Sequence, residues 1–158
     1  KWYYENLDIV PDILIFGKKT QMSGIMVKKK FSKIFKKPIR LEVTWDADVV
    51  DMVRSKYIIK ILKRKKVLEN VTKMSNLFRE GLSDIKNIFN IRNAGLLFAF
   101  DLNTNIKQKM LSDNMFKLGM LCNPTGKYTI RLRPNLLVNQ KEIFKALDII
   151  EQSSKKIN

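Results

Sequence analysis

The chain has 158 residues, of which 45% are hydrophobic and 29% are charged. This balance supports one ordinary domain, or one domain plus part of another, and excludes a disordered protein. No apolar run approaches the ~18 residues that a membrane-spanning helix needs. A single cysteine excludes a disulfide scaffold and a multi-thiolate metal site. Histidine is absent, which excludes histidine triads and histidine-ligated metals.

The net charge of +16 at first suggests a nucleic acid or another anionic partner. However, 24 of the 31 basic residues are lysine, whereas proteins that read bases or clamp phosphates rely on arginine. The positive charge is also spread over both halves of the chain, and the abundant lysine, isoleucine and asparagine share A/T-rich codons. We therefore attribute the charge to codon bias and expect no nucleic-acid partner.

The first half of the chain predicts two strands followed by a long helical region. Residues 12–16 form a short apolar run closed by Gly17, which is typical of a buried, central, parallel strand. A second apolar stretch at residues 25–27 predicts another strand. From residue 47 to 86, apolar side chains recur at spacings of three and four. This pattern predicts one long helix, or two helices joined near residues 66–68.

The second half predicts a small module of strands and helices. Its order is strand, strand, helix, strand, strand, helix, at residues 87–92, 95–102, 105–118, 120–123, 128–133 and 140–153. The first two strands are expected to pair around Asn93 and Ala94, and the later two to be joined by a turn at residues 124–126. Asn139, with Glu142 three residues later, is typical of a capping box and opens the last helix.

The lysine that follows the first predicted strand is a candidate for chemistry. Lys18 comes directly after Gly17, which lets the chain bend away from the strand. Partial burial at the end of such a strand would favour the neutral amine that an imine-forming lysine needs. In a lysine-rich chain, Lys18 and Lys19 also fit two ordinary loop lysines.

Two further positions are suited to bind anions. Alternation in the last predicted strand places Arg131 and Arg133 on one face, where two guanidinium groups could clamp a carboxylate. The same alternation fits the exposed face of an antiparallel sheet. Thr44 lies just ahead of the long helical region and could bind an anion through its hydroxyl and backbone N–H. Alternatively it caps the helix, a role that Asp46 or Asp48 could also fill.

These pieces, in this order, resemble the class III pyridoxal-phosphate aminotransferases. The run Pro-Asp-Ile-Leu-Ile-Phe-Gly-Lys at residues 11–18 is similar to the cofactor-lysine motif of that family. Thr44 and Trp45, with Val-Asp-Met-Val-Arg at residues 50–54, resemble its phosphate-contacting threonine and the start of its inter-domain helix. Ile-Arg-Leu-Arg-Pro at residues 130–134 resembles its carboxylate-binding strand. Within the family, the closest resemblance is to the lysine 6-aminotransferase branch.

The resemblance implies a role for three residues. Lys18 matches the lysine that holds pyridoxal 5'-phosphate as a Schiff base and shuttles the substrate proton. Thr44 matches the threonine that reaches the phosphate of the cofactor in the partner subunit. Arg131 matches the arginine that binds the α-carboxylate of the amino-acid or keto-acid substrate. The implied assembly is a homodimer with its active site at the subunit interface.

The resemblance also implies a fold and a domain plan. The fold class is α/β, as the C-terminal portion of a fold-type-I transferase. Residues 1–46 would finish the large domain, residues 47–72 would form the long inter-domain helix, and residues 73–158 would form the small α+β domain. The chain opens without an initiator methionine or a signal peptide. We therefore expect a part of a longer cytoplasmic enzyme, with no membrane partner, and inactive when isolated.

The implied reaction is transfer of the ε-amino group of lysine to 2-oxoglutarate. Two alternatives stay open at this point. Another ω-aminotransferase of the same family would act on 4-aminobutyrate or ornithine. A basic, nucleic-acid-binding or otherwise non-catalytic relative would keep the fold and lose the chemistry.

Overall fold

A computed structural model describes residues 2–38, 44, 48–64 and 66–157. The chain forms two compact units, Lys1–Arg64 and Lys65–Asn158. The three-part domain plan inferred from the resemblance stays a prediction. None of the helices in the described ranges has the length and apolar content needed to cross a bilayer.

The first unit contains two short strands that pair with each other. Strand β1 (Ile13–Phe16) runs antiparallel to β2 (Gly24–Val27). Both strands were predicted, but the prediction that the first is buried, central and parallel is wrong for the described residues. There β2 is its only strand neighbour, and Ile15 is 77% exposed. The reason is that a four-residue apolar run looks the same in a central and in an edge strand.

Two helices follow, so of the two predicted alternatives the structure has the second, with the break near residues 66–68. Helix α1 (Val49–Arg64) ends before Lys66, whose φ of 46° lies in the left-handed region that interrupts a helix, and α2 (Val67–Ser83) begins after it. Asp48 caps α1 because its Oδ1 accepts hydrogen bonds from the N–H groups of Val50 at 2.8 Å and Asp51 at 3.1 Å. The alternative cap, Asp46, lies outside the described residues.

The second unit contains a four-stranded antiparallel sheet in the order β3-β4-β6-β5. Its strands are β3 (Phe89–Ala94), β4 (Leu97–Asp101), β5 (Asn123–Thr125) and β6 (Thr129–Leu132). The predicted pairing of the first two strands is confirmed.

Both turns of this sheet lie two residues further along the chain than predicted. The first is at residues 95–96, not at Asn93 and Ala94, because Gly95 has the positive φ (55°) that a tight turn requires. The second is at residues 126–128, and the strand expected at 120–123 is instead Asn123–Thr125. Pro124 was read as a turn residue, but β5 is an edge strand, where a residue without an N–H is tolerated.

Two further helices complete the unit, as predicted. Helix α3 (Asn105–Lys117) and helix α4 (Gln140–Ser154) both begin at a capping side chain. For α4 this is the predicted capping box: Asn139 Oδ1 accepts from the Glu142 N–H at 3.0 Å, and Glu142 accepts from the Asn139 N–H at 2.8 Å.

The core of the second unit lies between one face of the sheet and the three helices α2, α3 and α4. Alternate residues of β4 and β6 point into it, so that Phe98, Phe100 and Ile130 are fully buried. Phe78 of α2 meets Phe98 edge-on, with ring centroids 4.9 Å apart. Because the apolar side chains occupy this face, the opposite face of the sheet carries the polar ones.

Candidate active site

Lys18 is presented directly at the end of β1. It is the first residue of a 3-10 helix (Lys18–Thr20), and its φ of 62° lies in the left-handed region that residues with a Cβ rarely adopt. Its carbonyl accepts a hydrogen bond from the Gln21 N–H at 3.1 Å. The side chain is exposed, so the partial burial expected from the sequence is not found. The physical reason is that β1 is covered on one side only: Leu14 and Phe16 are half-buried, whereas Ile13 and Ile15 are exposed.

The loop that carries Lys18 folds back on the end of the strand. A Cβ on Gly17 would lie 2.6 Å from the hydroxyl oxygen and 3.2 Å from the Cβ of Ser23, so a larger residue at this position would require the Ser23 side chain to move. Within the loop, the Thr20 hydroxyl donates to the Met22 carbonyl at 2.5 Å. Lys18 therefore sits on a loop with its own internal contacts.

Other lysines near β1 are neutralised by a carboxylate. Asp12 pairs with Lys28 at 2.9 Å and with Lys30 at 3.1 Å. The hydrogen bonds from these two ammonium groups lower the pKa of Asp12 and keep it ionised. By contrast, Lys18 has no ion pair with any residue that the structure describes.

Thr44 is an exposed turn residue. Its neighbours Trp45 and Asp46 lie outside the described residues, and Asp48 is engaged as the cap of α1. The anion-binding role of Thr44 therefore stays a prediction.

Arg131 lies in the second unit, on the polar face of the sheet. It occupies the third position of β6, between the buried Ile130 and Leu132, and its side chain is exposed. Its guanidinium has no hydrogen-bond or ion-pair partner within the part of the chain that the structure describes. Arg133 lies just beyond the end of β6 and lines a hollow of about 240 Å³ together with side chains such as Phe78 of α2. Because Arg133 lies outside β6, Arg131 is the arginine that this strand places on the polar face of the sheet.

A second arginine of the same face is compensated by a buried carboxylate. Asp101, at the end of β4, accepts hydrogen bonds from Arg92 (3.0 Å), Asn90 (2.6 Å) and the Thr129 hydroxyl (2.6 Å). Burial raises the pKa of Asp101, but these three bonds and the charge of Arg92 outweigh it, so the pKa is lowered. Sequence reasoning missed this cluster. The signal was available, because a carboxylate that closes the apolar run Leu-Phe-Ala-Phe needs partners.

The hairpin of β5 and β6 is anchored by helix α3. Gln108, which is buried, donates from Nε2 to the carbonyls of Thr125 at 3.1 Å and Thr129 at 2.7 Å. Asn105 donates to the carbonyl of Lys127 in the turn at 2.9 Å. These bonds fix the strand that carries Arg131, two residues beyond Thr129.

The predicted site residues are distributed over both units. Lys18 and Thr44 belong to the first unit and Arg131 to the second. Lys18 presents an exposed primary amine at a strand end, and Arg131 presents an exposed guanidinium on an open sheet face. An amine can bind a carbonyl compound covalently, and a guanidinium can bind a carboxylate through two parallel hydrogen bonds.

Residues 1–153 match the family Aminotransferase class-III, and the chain belongs to this family. Pyridoxal phosphate is the cofactor of the family. The L-lysine-epsilon aminotransferase of Mycobacterium tuberculosis is 30% identical over 96% of this chain and 36% of its own length. The 4-aminobutyrate aminotransferase of Dictyostelium discoideum is 29% identical over 99% of this chain and 32% of its own length. The chain thus spans about a third of the length of these relatives.

The fold agrees with the family. The structure of lysine aminotransferase from M. tuberculosis in the internal aldimine form superposes with a TM-score of 0.90 at 28% identity. The match covers 99% of this chain and 38% of that chain. The predicted fold class, α/β as a portion of a fold-type-I pyridoxal-phosphate transferase, is confirmed.

Proposed function

We propose that this chain is part of an enzyme that transfers the ε-amino group of L-lysine to 2-oxoglutarate. The observation that carries the proposal is that residues 1–153, with Lys18 placed directly after β1, match the class III aminotransferase family. The similarity to L-lysine-epsilon aminotransferases supports lysine as the amino donor.

The side chain of Lys18 fits covalent attachment of pyridoxal phosphate. Attachment requires a primary amine that a carbonyl compound can reach, and the Lys18 side chain is exposed and forms no ion pair with a described carboxylate. When bound, the cofactor supplies the electron sink for the reaction. Lys18 Nζ would then take the proton from the substrate carbon that carries the amino group and transfer it to the cofactor.

Arg131 would bind the carboxylate of the amino-acid or keto-acid substrate. Its guanidinium is exposed, uncompensated and carried by an anchored strand, which are the properties that a bidentate carboxylate contact needs. Thr44 would contact the cofactor phosphate of a partner subunit in a homodimer, with the active site at the interface. The enzyme would work in the cytoplasm, in lysine catabolism, and residues 1–158 alone would not catalyse the reaction.

The amino donor is tested in the full-length protein loaded with pyridoxal phosphate. Single-turnover rates with lysine, 4-aminobutyrate and ornithine separate the candidates. We expect lysine to react fastest. A faster reaction with 4-aminobutyrate would favour the second candidate, which the similarity to a 4-aminobutyrate aminotransferase supports. No turnover with any of the three donors would overturn the proposal.

The role of Arg131 is tested by Arg131→Lys, with Arg133→Lys as the matched control. Replacing a bidentate contact by a point charge should raise the KM for 2-oxoglutarate about 10- to 100-fold. The affinity for the cofactor should not change. A loss caused by Arg133→Lys instead would move the role to Arg133.

The non-catalytic alternative is tested by filter binding of RNA across a salt series. Real phosphate contacts give a steep dependence of affinity on salt concentration. We expect weak binding without such a slope, because the positive charge is lysine-rich and dispersed. Tight, steeply salt-dependent binding together with no aminotransferase activity would favour the alternative.

A further inference from the structure

Arg131 has a polar neighbour on the edge strand of the sheet. In the register of β5 and β6, Asn123 lies directly opposite Arg131, and Ala99 of β4 lies opposite Arg131 on its other side. Residues paired in this way project from the same face, with Cβ atoms about 4.5–5.5 Å apart. Asn123, Arg131 and Ala99 therefore form a row across three strands.

This row lies on the face that points away from the core. Ile130, which precedes Arg131, is fully buried, and it pairs with Pro124. The side chains of Asn123 and Arg131 are both exposed. Neither makes a side-chain hydrogen bond to a residue in the described ranges. The amide and the guanidinium are thus adjacent hydrogen-bond donors with nothing in the described chain to occupy them.

The arginine on the far side of Ala99 does not compete for an anion. Arg92 lies opposite Ala99 on β3, but its Nη2 pairs with Asp101 at 3.0 Å and its Nη1 donates to the Asn90 carbonyl at 2.8 Å. Its charge is therefore satisfied within the protein. Ala99 between the two arginines has a side chain too small to obstruct a ligand over the strand. An anion that approaches this face meets Arg131, with Asn123 beside it.

We propose that Asn123 is a second carboxylate-binding residue, which donates from Nδ2 to the carboxylate that Arg131 holds. The inference rests on the proposed role of Arg131. A carboxylate accepts hydrogen bonds at about four positions, of which a bidentate guanidinium occupies two. The amide of Asn123 donates to one of the remaining positions. The pair binds a carboxylate in a fixed orientation, because the two strands that carry it are hydrogen-bonded to each other and anchored by Gln108.

The test uses two variants of Asn123 in the full-length protein loaded with pyridoxal phosphate. Asn123→Asp places a carboxylate beside the guanidinium, where it pairs with Arg131 and repels the substrate. We expect the KM for 2-oxoglutarate to rise about tenfold. Asn123→Leu removes the donor at similar volume and should raise this KM about threefold. In both variants kcat and the affinity for the cofactor should stay within about twofold of the wild-type values.

The matched control is Thr125→Val. Thr125 is exposed on the same strand and the same face, two residues from Asn123, and lies opposite Thr129. Its replacement perturbs the edge strand without touching Arg131, so we expect an unchanged KM. Because Asn123 is exposed, its variants should fold, and equal melting temperatures confirm this.

Three outcomes would overturn the inference. Wild-type KM values in both Asn123 variants, with a raised KM in Arg131→Lys, would show that Arg131 binds the carboxylate without Asn123. An equal loss in Thr125→Val would show that the effect comes from the strand rather than from the amide. An unchanged KM in Arg131→Lys as well, in an enzyme that still turns over, would remove the proposed role of Arg131 on which the inference rests.

Discussion

Replacing Asp101 by asparagine should destabilise the second unit, because this carboxylate accepts three hydrogen bonds at a buried position. Its Oδ2 accepts from Asn90, and its Oδ1 accepts from Arg92 and Thr129. An asparagine keeps one oxygen, so its NH₂ group must face a donor on one of the two sides. Losing a charge-assisted bond and leaving a donor unpaired costs about 2–3 kcal/mol.

The assay is urea and thermal unfolding followed by far-UV circular dichroism. For a unit of this size the loss corresponds to a fall in Tm of about 10–20 °C. Asp84→Asn is the matched control, since Asp84 is exposed and has no side-chain hydrogen bond or ion pair in the described part of the chain. We expect its Tm to stay within about 2 °C of the wild-type value.

The effect should also depend on pH with a defined sign. The pKa of Asp101 in the folded chain lies below the ordinary value of 3.8, so its contribution to stability is fully present above that value. The contribution is lost as the pH falls through the folded-state pKa. The difference in unfolding free energy between wild type and Asp101→Asn should therefore shrink in acid. A difference that is absent at pH 7, or that grows as the pH falls, would show that the Asp101 carboxylate does not stabilise the folded chain in this way.

Two further predictions concern the same unit. Asn139→Ala removes the capping box of α4 and should lower the free energy of unfolding by about 1 kcal/mol; an unchanged urea midpoint would contradict the assigned cap. The pKa of the Cys122 thiol is raised, mainly because the thiol is buried and also because Asp113 is negatively charged. The hydrogen bond to Ser112 acts in the opposite direction but does not outweigh these two causes. Iodoacetamide should therefore alkylate Cys122 more slowly at neutral pH than it alkylates glutathione, and a faster reaction would count against this environment.

Local patterns in the sequence predicted most elements of the second unit. The periodic spacing of apolar residues, the Asn139 capping box and the alternation around Arg131 each depend on neighbours within a few residues, so the sequence contains the signal. The turn between β5 and β6 was predicted two residues too early because Pro124 suits both a turn and an edge strand. Which of the two it occupies depends on the partner strand, and that is a tertiary property.

The environment of the candidate residues was harder to predict. The exposure of Lys18 depends on what packs against β1, and a short apolar run does not reveal this. The cluster around Asp101 joins residues from three strands, among them Arg92 and Thr129, which are 37 positions apart in the sequence. The pairing of Asn123 with Arg131 likewise follows from the register of β5, which the sequence placed at residues 120–123.

Attachment of the cofactor to Lys18 is measured by borohydride reduction. The full-length protein is incubated with pyridoxal phosphate and reduced, and its peptides are mapped by mass spectrometry. We expect one stoichiometric pyridoxyl label on Lys18, and no such label in Lys18→Ala, while Lys19→Ala keeps it. Labelling of Lys19 instead, or a label spread over many of the 24 lysines of residues 1–158, would contradict the assignment of Lys18.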